Sequence, residues 1–230
     1  MLLSGIFAMT YAKPLNHQQQ QFVDFMIPKI KKANAQIMQQ RQKLTGLYQA
    51  YQNQTALSAN DKIWLANLAE RYGLKKANFQ KSHTWQQMLV RVDIVPVPLV
   101  LAQSISESAW GRSRFARQGH NYFGQWCSAP GCGLIPKERT PGSPWQVQKF
   151  NNAYDSIVSY MNNINSHRAY TKLRGIRHEL RESGKPLNPD TIAKGLASYS
   201  QRGVQYIGMM QDIMNHFQLA QLVQDYNPQA

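Results

Sequence analysis

The sequence predicts a mainly α-helical fold of the α+β class. Apolar residues recur at helical spacing over most of the chain. Residues 111–144 lack that period and combine glycine, proline and aromatic residues, which favours short strands and turns, and residues 147–150 resemble a returning strand. With 230 residues, 43% of them hydrophobic, the chain is long enough for a real core, as one domain with an appendage or as two small ones, and wholesale disorder is excluded.

The N-terminal part of the sequence predicts helices that serve as packing elements or as interaction arms. Pro28 could break the first turns of the first segment, so one long helix or two are expected before a linker and a shorter helix over residues 61–72. The first segment could pack on its own chain, dimerise or cover a groove, and a monomer with intramolecular packing is favoured. Its seam advances in steps of three and four through Val23, Met26, Ile30, Ala33, Ile37, Gln40, Leu44, Leu47 and Tyr51.

The second half predicts a helical domain around one apolar helix. Thr84 can cap a helix that ends before Pro96, and Pro98 then starts a helix over residues 99–109 that is apolar on most sides and therefore central. Polar residues, including Gln103, gather toward its end. Further helices are expected near residues 156–166, 169–182, 189–200 and 204–223.

Charge and ends limit the class of protein without selecting a function. Lys and Arg number 26 against 12 Asp and Glu, and the net charge of +14 favours polyanions such as nucleic acid, anionic lipid or an acidic cell-wall polymer. The densest basic stretch, residues 167–185, is interpreted as a solvated face. No apolar run is long enough to span a membrane. Residues 1–13 resemble a signal peptide without its basic start, so export is expected, the alternative being a frayed or core-docked terminus.

Two carboxylates are candidates for acid–base chemistry. Glu107 is placed near the end of the most buried helix, where burial and the helix dipole would raise its pKa, as a general acid requires. The alternative is a capping or salt-bridged Glu paired with Arg112 or Arg114. Glu138 follows in the irregular segment. A loop carboxylate facing a helix-borne one is the glycosidase arrangement, although a solvated loop residue is the commoner case.

Cys127 and Cys132 enclose a turn sequence, Ser-Ala-Pro-Gly, so their sulfurs can meet in a disulfide that suits an exported protein. His120 could join them in a three-ligand zinc site, but no fourth ligand is near. A reactive thiol is a weaker alternative. The dense aromatic residues between Trp110 and Trp145 would suit sugar stacking, core packing or, with neighbouring arginines, nucleic-acid binding.

Several strings resemble one family. Residues 101–114, Leu-Ala-Gln-Ser-Ile-Ser-Glu-Ser-Ala-Trp-Gly-Arg-Ser-Arg, are similar to the "AQ…ESxWGxSR" signature of bacterial peptidoglycan N-acetylglucosaminidases of the glycoside hydrolase family 73 type. Residues 121–124 resemble that family's "NLFG", with Tyr122 in place of Leu. Residues 91–96, 115–119, 126–127 and 130–134 resemble the Bax-type branch. So does the string "YSxRGxxY" from Tyr199 to Tyr206, where other members carry "YATDxxY".

The resemblance covers residues 84–217 and implies a lysozyme-like helical fold with a small β-hairpin lobe over a substrate groove. The expected division of the chain is a possible targeting segment at 1–13, an N-terminal helical region at 17–80, which the resemblance does not cover, and a catalytic domain at 84–223, which the resemblance implies. Glu107 matches the catalytic acid and Tyr199 an assisting tyrosine, while Glu138 is the candidate for the second acid. The expected substrate contacts are Trp110, Asn121, Tyr122, Phe123, Gly124, Trp126 and Tyr206.

The sequence therefore predicts an exported endo-β-N-acetylglucosaminidase that cleaves after N-acetylglucosamine in peptidoglycan glycan strands, in the periplasm or envelope of a Gram-negative bacterium. Neither a metal nor an organic cofactor is expected, and neither is a nucleic-acid partner. The alternatives are a catalytically silent glycan-binding or assembly protein, a muramidase or lytic transglycosylase, and a basic nucleic-acid binder.

Overall fold

The computed structural model describes residues 14–226, and the possible targeting segment at 1–13 lies outside them. The expected mainly helical fold with a small hairpin lobe is confirmed. No helix among the described residues is long and apolar enough to cross a membrane. The helices are α1 His17–Gln52, α2 Ala59–Arg71, α3 Ser82–Arg91, α4 Val97–Ser108, α5 Arg114–Gly119, α6 Ala153–Ser166, α7 Thr171–Glu182, α8 Pro189–Ala193, α9 Val204–His216 and α10 Leu219–Asp225, with a 3-10 turn at Arg168–Tyr170.

The first helix is continuous, because Pro28 lies inside α1 without ending it. Asn16 and Gln19 form a capping box at its start. The seam predicted from the sequence faces the interior of the same chain: most of its members are buried, and Leu47 and Tyr51 pack against the core. Helices α4 and α6 cover this face. The apolar stripe that a dimer could have buried is thus used within the chain.

Helix α4 is the centre of the core, as its composition predicts. Every residue from Leu99 to Ile105 is buried, and α1, α8, α9 and α10 surround the helix. It begins at Val97, two residues earlier than expected, with Pro98 in its first turn. The predicted cap of the preceding helix is wrong: Thr84 already donates its backbone N–H to the carbonyl of Lys81, so α3 begins before it.

Three strands form the lobe beside the helices, β1 Trp126–Cys127, β2 Gly133–Leu134 and β3 Gln146–Gln148. The sheet order is β1-β3-β2 and both pairings are antiparallel, with Trp126 and Leu134 each opposite Val147. The sequence missed the short helix α5, which Ser113 caps.

The two C-terminal helices are shorter than predicted. Helix α8 ends at Ala193, and Gly195 then lies so close to the backbone of Leu173 that a Cβ would be 2.2 Å from its Cα. The single helix expected over 204–223 is two, because Gln218 adopts a left-handed conformation (φ 46°) between α9 and α10.

Asp93 is the centre of a buried ion cluster just before α4. Its carboxylate accepts two hydrogen bonds from Arg181, at 2.8 and 3.0 Å, and lies 3.7 Å from Arg41 and 3.8 Å from Arg177. Burial acts to raise the pKa of Asp93, but the Arg181 hydrogen bond and the three positive charges outweigh it and lower the pKa below its ordinary value.

The basic stretch at 167–185 is only in part the solvated face that its composition suggested, because Arg168, Lys172 and Lys185 are exposed whereas two of its arginines are buried. Arg177 is fully buried and donates to the backbone carbonyls of Val90, Arg91, Asp93 and Ile94. Arg174 is also buried, and it donates to the carbonyls of residues 164 and 167. These arginines are part of the core, so they are not available to bind a polyanion.

We predict that Asp93→Asn destabilises the protein by about 3–5 kcal/mol at neutral pH, because it leaves Arg177 buried without a compensating charge. Urea unfolding measures the change. The exposed Glu70 supplies a control, since Glu70→Gln should stay within about 0.5 kcal/mol of the parent. Because the pKa of Asp93 is lowered in the fold, the stability that its carboxylate contributes is lost as pH falls through that pKa. The difference in stability between the parent and Asp93→Asn should therefore become smaller in acid. A cost below about 1 kcal/mol would contradict the central role of the cluster.

Candidate active site

A groove of about 540 Å³ runs between α6, the chain following α5, the 3-10 turn and the segment after α8. In the part of the chain that the structure describes, Glu107 is the only charged residue in its lining. The lining residues are Glu107, Phe123, Gly124, Gln125, Trp126, Gln148, Ser159, Tyr160, Asn162, Asn163, Ser166, Tyr170, Tyr199 and Ser200. The groove is polar and aromatic, with a single carboxylate.

Glu107 lies in the last turn of α4 and its two carboxylate oxygens have different surroundings. Oε1 accepts a hydrogen bond from the hydroxyl of Tyr206 at 3.0 Å. Oε2 faces Gly124, where a Cβ would lie only 3.5 Å away. Gly124 also has a φ of +64°, which side-chain-bearing residues rarely adopt, so glycine both permits this turn and leaves Oε2 uncovered.

Burial raises the pKa of Glu107 above its ordinary value, and the Tyr206 hydrogen bond and the charge of Arg202 lower it only in part. The salt-bridge alternative is not what the structure shows. Arg112 donates to the carbonyl of Ala109 and Arg114 to that of Ile135, and neither pairs with Glu107. The pKa of Glu107 is therefore shifted in the direction that a general acid near neutral pH requires.

Two buried residues that the sequence analysis did not assign to the site, Gln103 and Tyr160, extend the hydrogen bond between Tyr206 and Glu107. The Nε2 of Gln103 donates to the Tyr206 hydroxyl at 3.1 Å, and the hydroxyl of Tyr160 donates to Oε1 of Gln103. Gln103 is one turn before Glu107 on α4 and is fully buried. Its polar character on an otherwise apolar helix face, four residues before the acid, is the signal that could have identified it.

Tyr199 lines the groove, and its hydroxyl donates to the carbonyl oxygen of Phe123 at 2.9 Å. Its ring stacks on that of Tyr206 with centroids 5.1 Å apart. Burial raises the pKa of Tyr199 well above its ordinary value, so the phenol stays protonated near neutral pH. The protonated phenol can bind a substrate or a water molecule by hydrogen bonds, but it does not supply the phenolate that would act as a base.

Asn121 shapes the groove without lining it. Its Oδ1 accepts from the backbone N–H of Phe123 and Gln125, and its Nδ2 donates to the carbonyls of Gln125 and Gln148. Asn121 therefore ties the turn that presents Phe123 and Gly124 to strand β3. Phe123 in turn stacks on Tyr160 at 4.1 Å.

Trp110 and Tyr122 do not line the groove, contrary to expectation. Ala109 and Trp110 are both left-handed, so the chain reverses directly after α4 and carries the Trp110 ring against Phe217, at 4.9 Å. Tyr122 packs against Phe22 of α1, at 6.2 Å. The Trp110 ring also lies 5.9 Å from that of Phe22, so both side chains cover the start of α1 instead of contacting the groove. Tyr206, another expected substrate contact, is buried behind Glu107 and does not line the groove either.

Glu138 is exposed on the loop between β2 and β3 and is not part of the groove lining. The structure therefore does not bring the two predicted carboxylates together in one cleft. Trp126 of the same lobe does line the groove, and it is 54% exposed.

Cys127 and Cys132 form a disulfide with Cα atoms 6.2 Å apart, as expected for an exported protein. This pairing removes the zinc and free-thiol alternatives, since both sulfurs are bonded to each other. Among residues 14–226 no three His, Cys, Asp or Glu side chains gather as a metal site.

The sequence missed a polar stripe on α6. Ser159, Asn162, Asn163 and Ser166 are spaced three and four residues apart, so they share the helix face that lines the groove. The spacing was visible in the sequence, but nothing indicated which face of α6 would be exposed to a cleft.

Comparison with known proteins places these features in one family. The model of the glucosaminidase family, described as "Mannosyl-glycoprotein endo-beta-N-acetylglucosaminidase", matches residues 82–219. "Protein bax" of Escherichia coli (strain K12) is 30% identical over 185 residues, which are 80% of this chain. The chain spans 64% of the length of that relative. No solved structure matches. The matched residues include α4, the groove and the hairpin lobe, and the chain belongs to the glucosaminidase family.

Proposed function

We propose that the protein is an exported endo-β-N-acetylglucosaminidase that cleaves the β-1,4 bond after N-acetylglucosamine in peptidoglycan glycan strands. The observation that carries the proposal is Glu107, a carboxyl group of raised pKa with one oxygen facing a polar and aromatic groove. We assign the catalytic domain to residues 84–223, and family membership and the Cys127–Cys132 disulfide support an envelope or periplasmic location.

The lining of the groove suits a neutral sugar better than a polyanion. The hydroxyl and amide groups of the α6 stripe can bond sugar hydroxyls and N-acetyl groups. Trp126 offers an exposed ring on which a sugar can stack. A phosphate backbone would instead meet the carboxyl group of Glu107 without a lining cation, so the groove does not favour the nucleic-acid alternative.

Glu107 would act as the general acid. Its proton passes to the glycosidic oxygen as the bond from that oxygen to C1 breaks, and the departing strand leaves as an alcohol. C1 then acquires oxocarbenium character and is attacked by water or by the substrate's own acetamido oxygen. In the acetamido route, water later opens the cyclic intermediate, and Glu107 takes up the water proton that restores its acid form.

The second group differs between these two routes. Direct attack by water calls for a base, and Glu138 can serve only if the loop between β2 and β3 moves over the groove, because the structure places it outside the lining. The acetamido route calls for no second carboxylate. In either route the Tyr199 hydroxyl, already at the groove wall, would hold the attacking group or the substrate by a hydrogen bond.

We expect Glu107→Gln to lower the rate of reducing-end release from purified peptidoglycan by about 10²–10⁴-fold, the usual contribution of a general acid. The exposed Glu179 of α7 supplies a matched control, since Glu179→Gln removes a carboxylate away from the groove and should retain full activity. Unchanged release by Glu107→Gln would remove Glu107 from the mechanism.

Product analysis separates the remaining alternatives. Mass spectrometry should find N-acetylglucosamine at the new reducing end, whereas N-acetylmuramic acid or its anhydro form would indicate a muramidase or a lytic transglycosylase. Binding without any release would indicate a silent binder. Retention of the β anomer together with an active Glu138→Gln variant would indicate the acetamido route, and inversion with an inactive variant would indicate Glu138 as base.

We also expect Glu107→Gln to raise the melting temperature near pH 8. The pKa of Glu107 is raised in the fold, so the parent protein loses stability as pH rises through that pKa, while Gln does not titrate. The amide oxygen of Gln can still accept from Tyr206. The difference in melting temperature should vanish below the ordinary glutamate pKa of 4.5. A difference that is the same at both ends of the pH range would show that burial of the charge is not its cause.

A further inference from the structure

The hydrogen bonds behind Glu107 form a buried chain with a direction. Tyr160 donates to Oε1 of Gln103, the Nε2 of Gln103 donates to the Tyr206 hydroxyl at 3.1 Å, and Tyr206 donates to Oε1 of Glu107 at 3.0 Å. Gln103 is 0% exposed, and Tyr160 and Tyr206 are each 1% exposed. The chain therefore operates away from solvent, where a polar group left without a partner is costly.

The direction follows from the chemistry of the amide. An amide oxygen only accepts and an amide NH₂ only donates. Among the described residues the Tyr160 hydroxyl has Gln103 as its one hydrogen-bond partner. If the amide of Gln103 were reversed, the Tyr160 proton would have no acceptor, and Tyr206 would have to donate to either Gln103 or Glu107 but not to both. The observed order gives the hydroxyl protons of Tyr160 and Tyr206 an acceptor whether Glu107 is charged or neutral.

We propose that Gln103 and Tyr160 are positioning residues that hold the acid proton of Glu107 on Oε2, the oxygen facing the groove. Because Oε1 already accepts a hydrogen bond from the Tyr206 hydroxyl, the proton of the neutral carboxyl group lies on the other oxygen, Oε2. Oε2 lies beside Gly124, where a glycosidic oxygen can reach it. The inference rests on the proposed role of Glu107 as general acid.

Loss of the amide would misplace the proton without removing it. Without the Gln103 amide, the Tyr206 hydroxyl is no longer held as a donor to Glu107. When it turns away, its oxygen can accept from Glu107, and the carboxyl proton then lies on Oε1, turned away from the substrate. The acid would be protonated but unproductive, so turnover falls while substrate binding does not change. The other charged or titratable groups that act on Glu107 or share this buried cluster are Tyr199, Arg202 and Tyr170, and none of them is altered by a substitution at 103.

Two substitutions of Gln103 test the proposal on purified peptidoglycan. Gln103→Met keeps the volume but removes both polar atoms, and we expect kcat to fall about tenfold or more at every pH with little change in KM, about the effect of one misdirected hydrogen bond. The control is Ser104→Ala on the same helix, whose buried hydroxyl donates only to the carbonyl of Leu101 and which should keep the parent kcat.

Gln103→Glu separates positioning from packing. When protonated, a carboxyl group at 103 can accept from Tyr160 and donate to Tyr206, as the amide does. When ionised it can only accept, and it draws the Tyr206 proton away from Glu107. We therefore expect activity near that of the parent in acid, lost on raising the pH sooner than in the parent. A residue that merely fills space would not change the pH profile.

An infrared measurement gives a reading that does not require catalysis. With the proton on Oε2, the carbonyl of neutral Glu107 is Oε1 and accepts from Tyr206, which lowers its stretching frequency. In Gln103→Met the carbonyl becomes Oε2 without that donor, so the band, identified by its loss in Glu107→Gln, should move to higher frequency.

The outcomes are distinguishable. A folded Gln103→Met variant with parent kcat and an unshifted band would overturn the proton placement and leave the proposed function intact. A shifted band in a protein that releases no reducing ends would support the placement and overturn the proposed function. A reduced kcat with a parent-like pH profile in Gln103→Glu would assign Gln103 to packing and overturn the positioning role.

Discussion

The arrangement of the site depends on one buried carboxylate outside the groove. Asp93 is surrounded by Arg41 of α1 and by Arg177 and Arg181 of α7. Arg41 and Arg177 also donate to backbone carbonyls of the turn that leads into α4. Separating Arg177 from Asp93 would leave two opposite charges buried and unpaired, which is strongly destabilising, so α7 cannot move away from the turn independently. The direction of α4, and hence the place of Glu107 at its far end, is set there.

In the proposed mechanism, Glu107 must be protonated and must also reach the substrate. The first property depends on burial among the helices, and the second depends on a gap in their packing. Helix α4 supplies the burial, and the turn at Gly124 supplies the gap, because a glycine there leaves one carboxylate oxygen open. The hydrogen bonds behind Glu107 join residues of α4, α6 and α9, so the surroundings of one carboxylate oxygen depend on helices far apart in sequence.

The sequence predicted what depends on local pattern. The apolar length of α4, the polar end that carries Glu107 and the turn between Cys127 and Cys132 are local properties, and the structure agrees with each. It did not predict the direction of side chains after a chain reversal, so Trp110 and Tyr122 were assigned to the groove although both pack on Phe22 of α1.

Burial was the other property that the sequence did not reveal. The guanidinium of Arg177 can lie in the core because backbone carbonyls of a turn distant in sequence accept hydrogen bonds from it. The number of charged residues in the stretch does not reveal these partners. The spacing of the polar residues on α6 likewise showed that they share one face, but it did not show that this face lines the groove. Which face meets a cleft is decided by the helices packed on the other side.

The position of α1 has a consequence for how the chain acquires its structure. Its apolar face is covered by α4 and α6, and Lys31 also reaches the carbonyl of Val223 near the other end of the chain. During synthesis the helix can form early from local hydrogen bonds, but its partners emerge much later, so its contacts have a high sequence separation. Such contacts slow folding and leave an apolar stripe open to association in the meantime. Helix α1 is therefore made well before the helices that cover its apolar face.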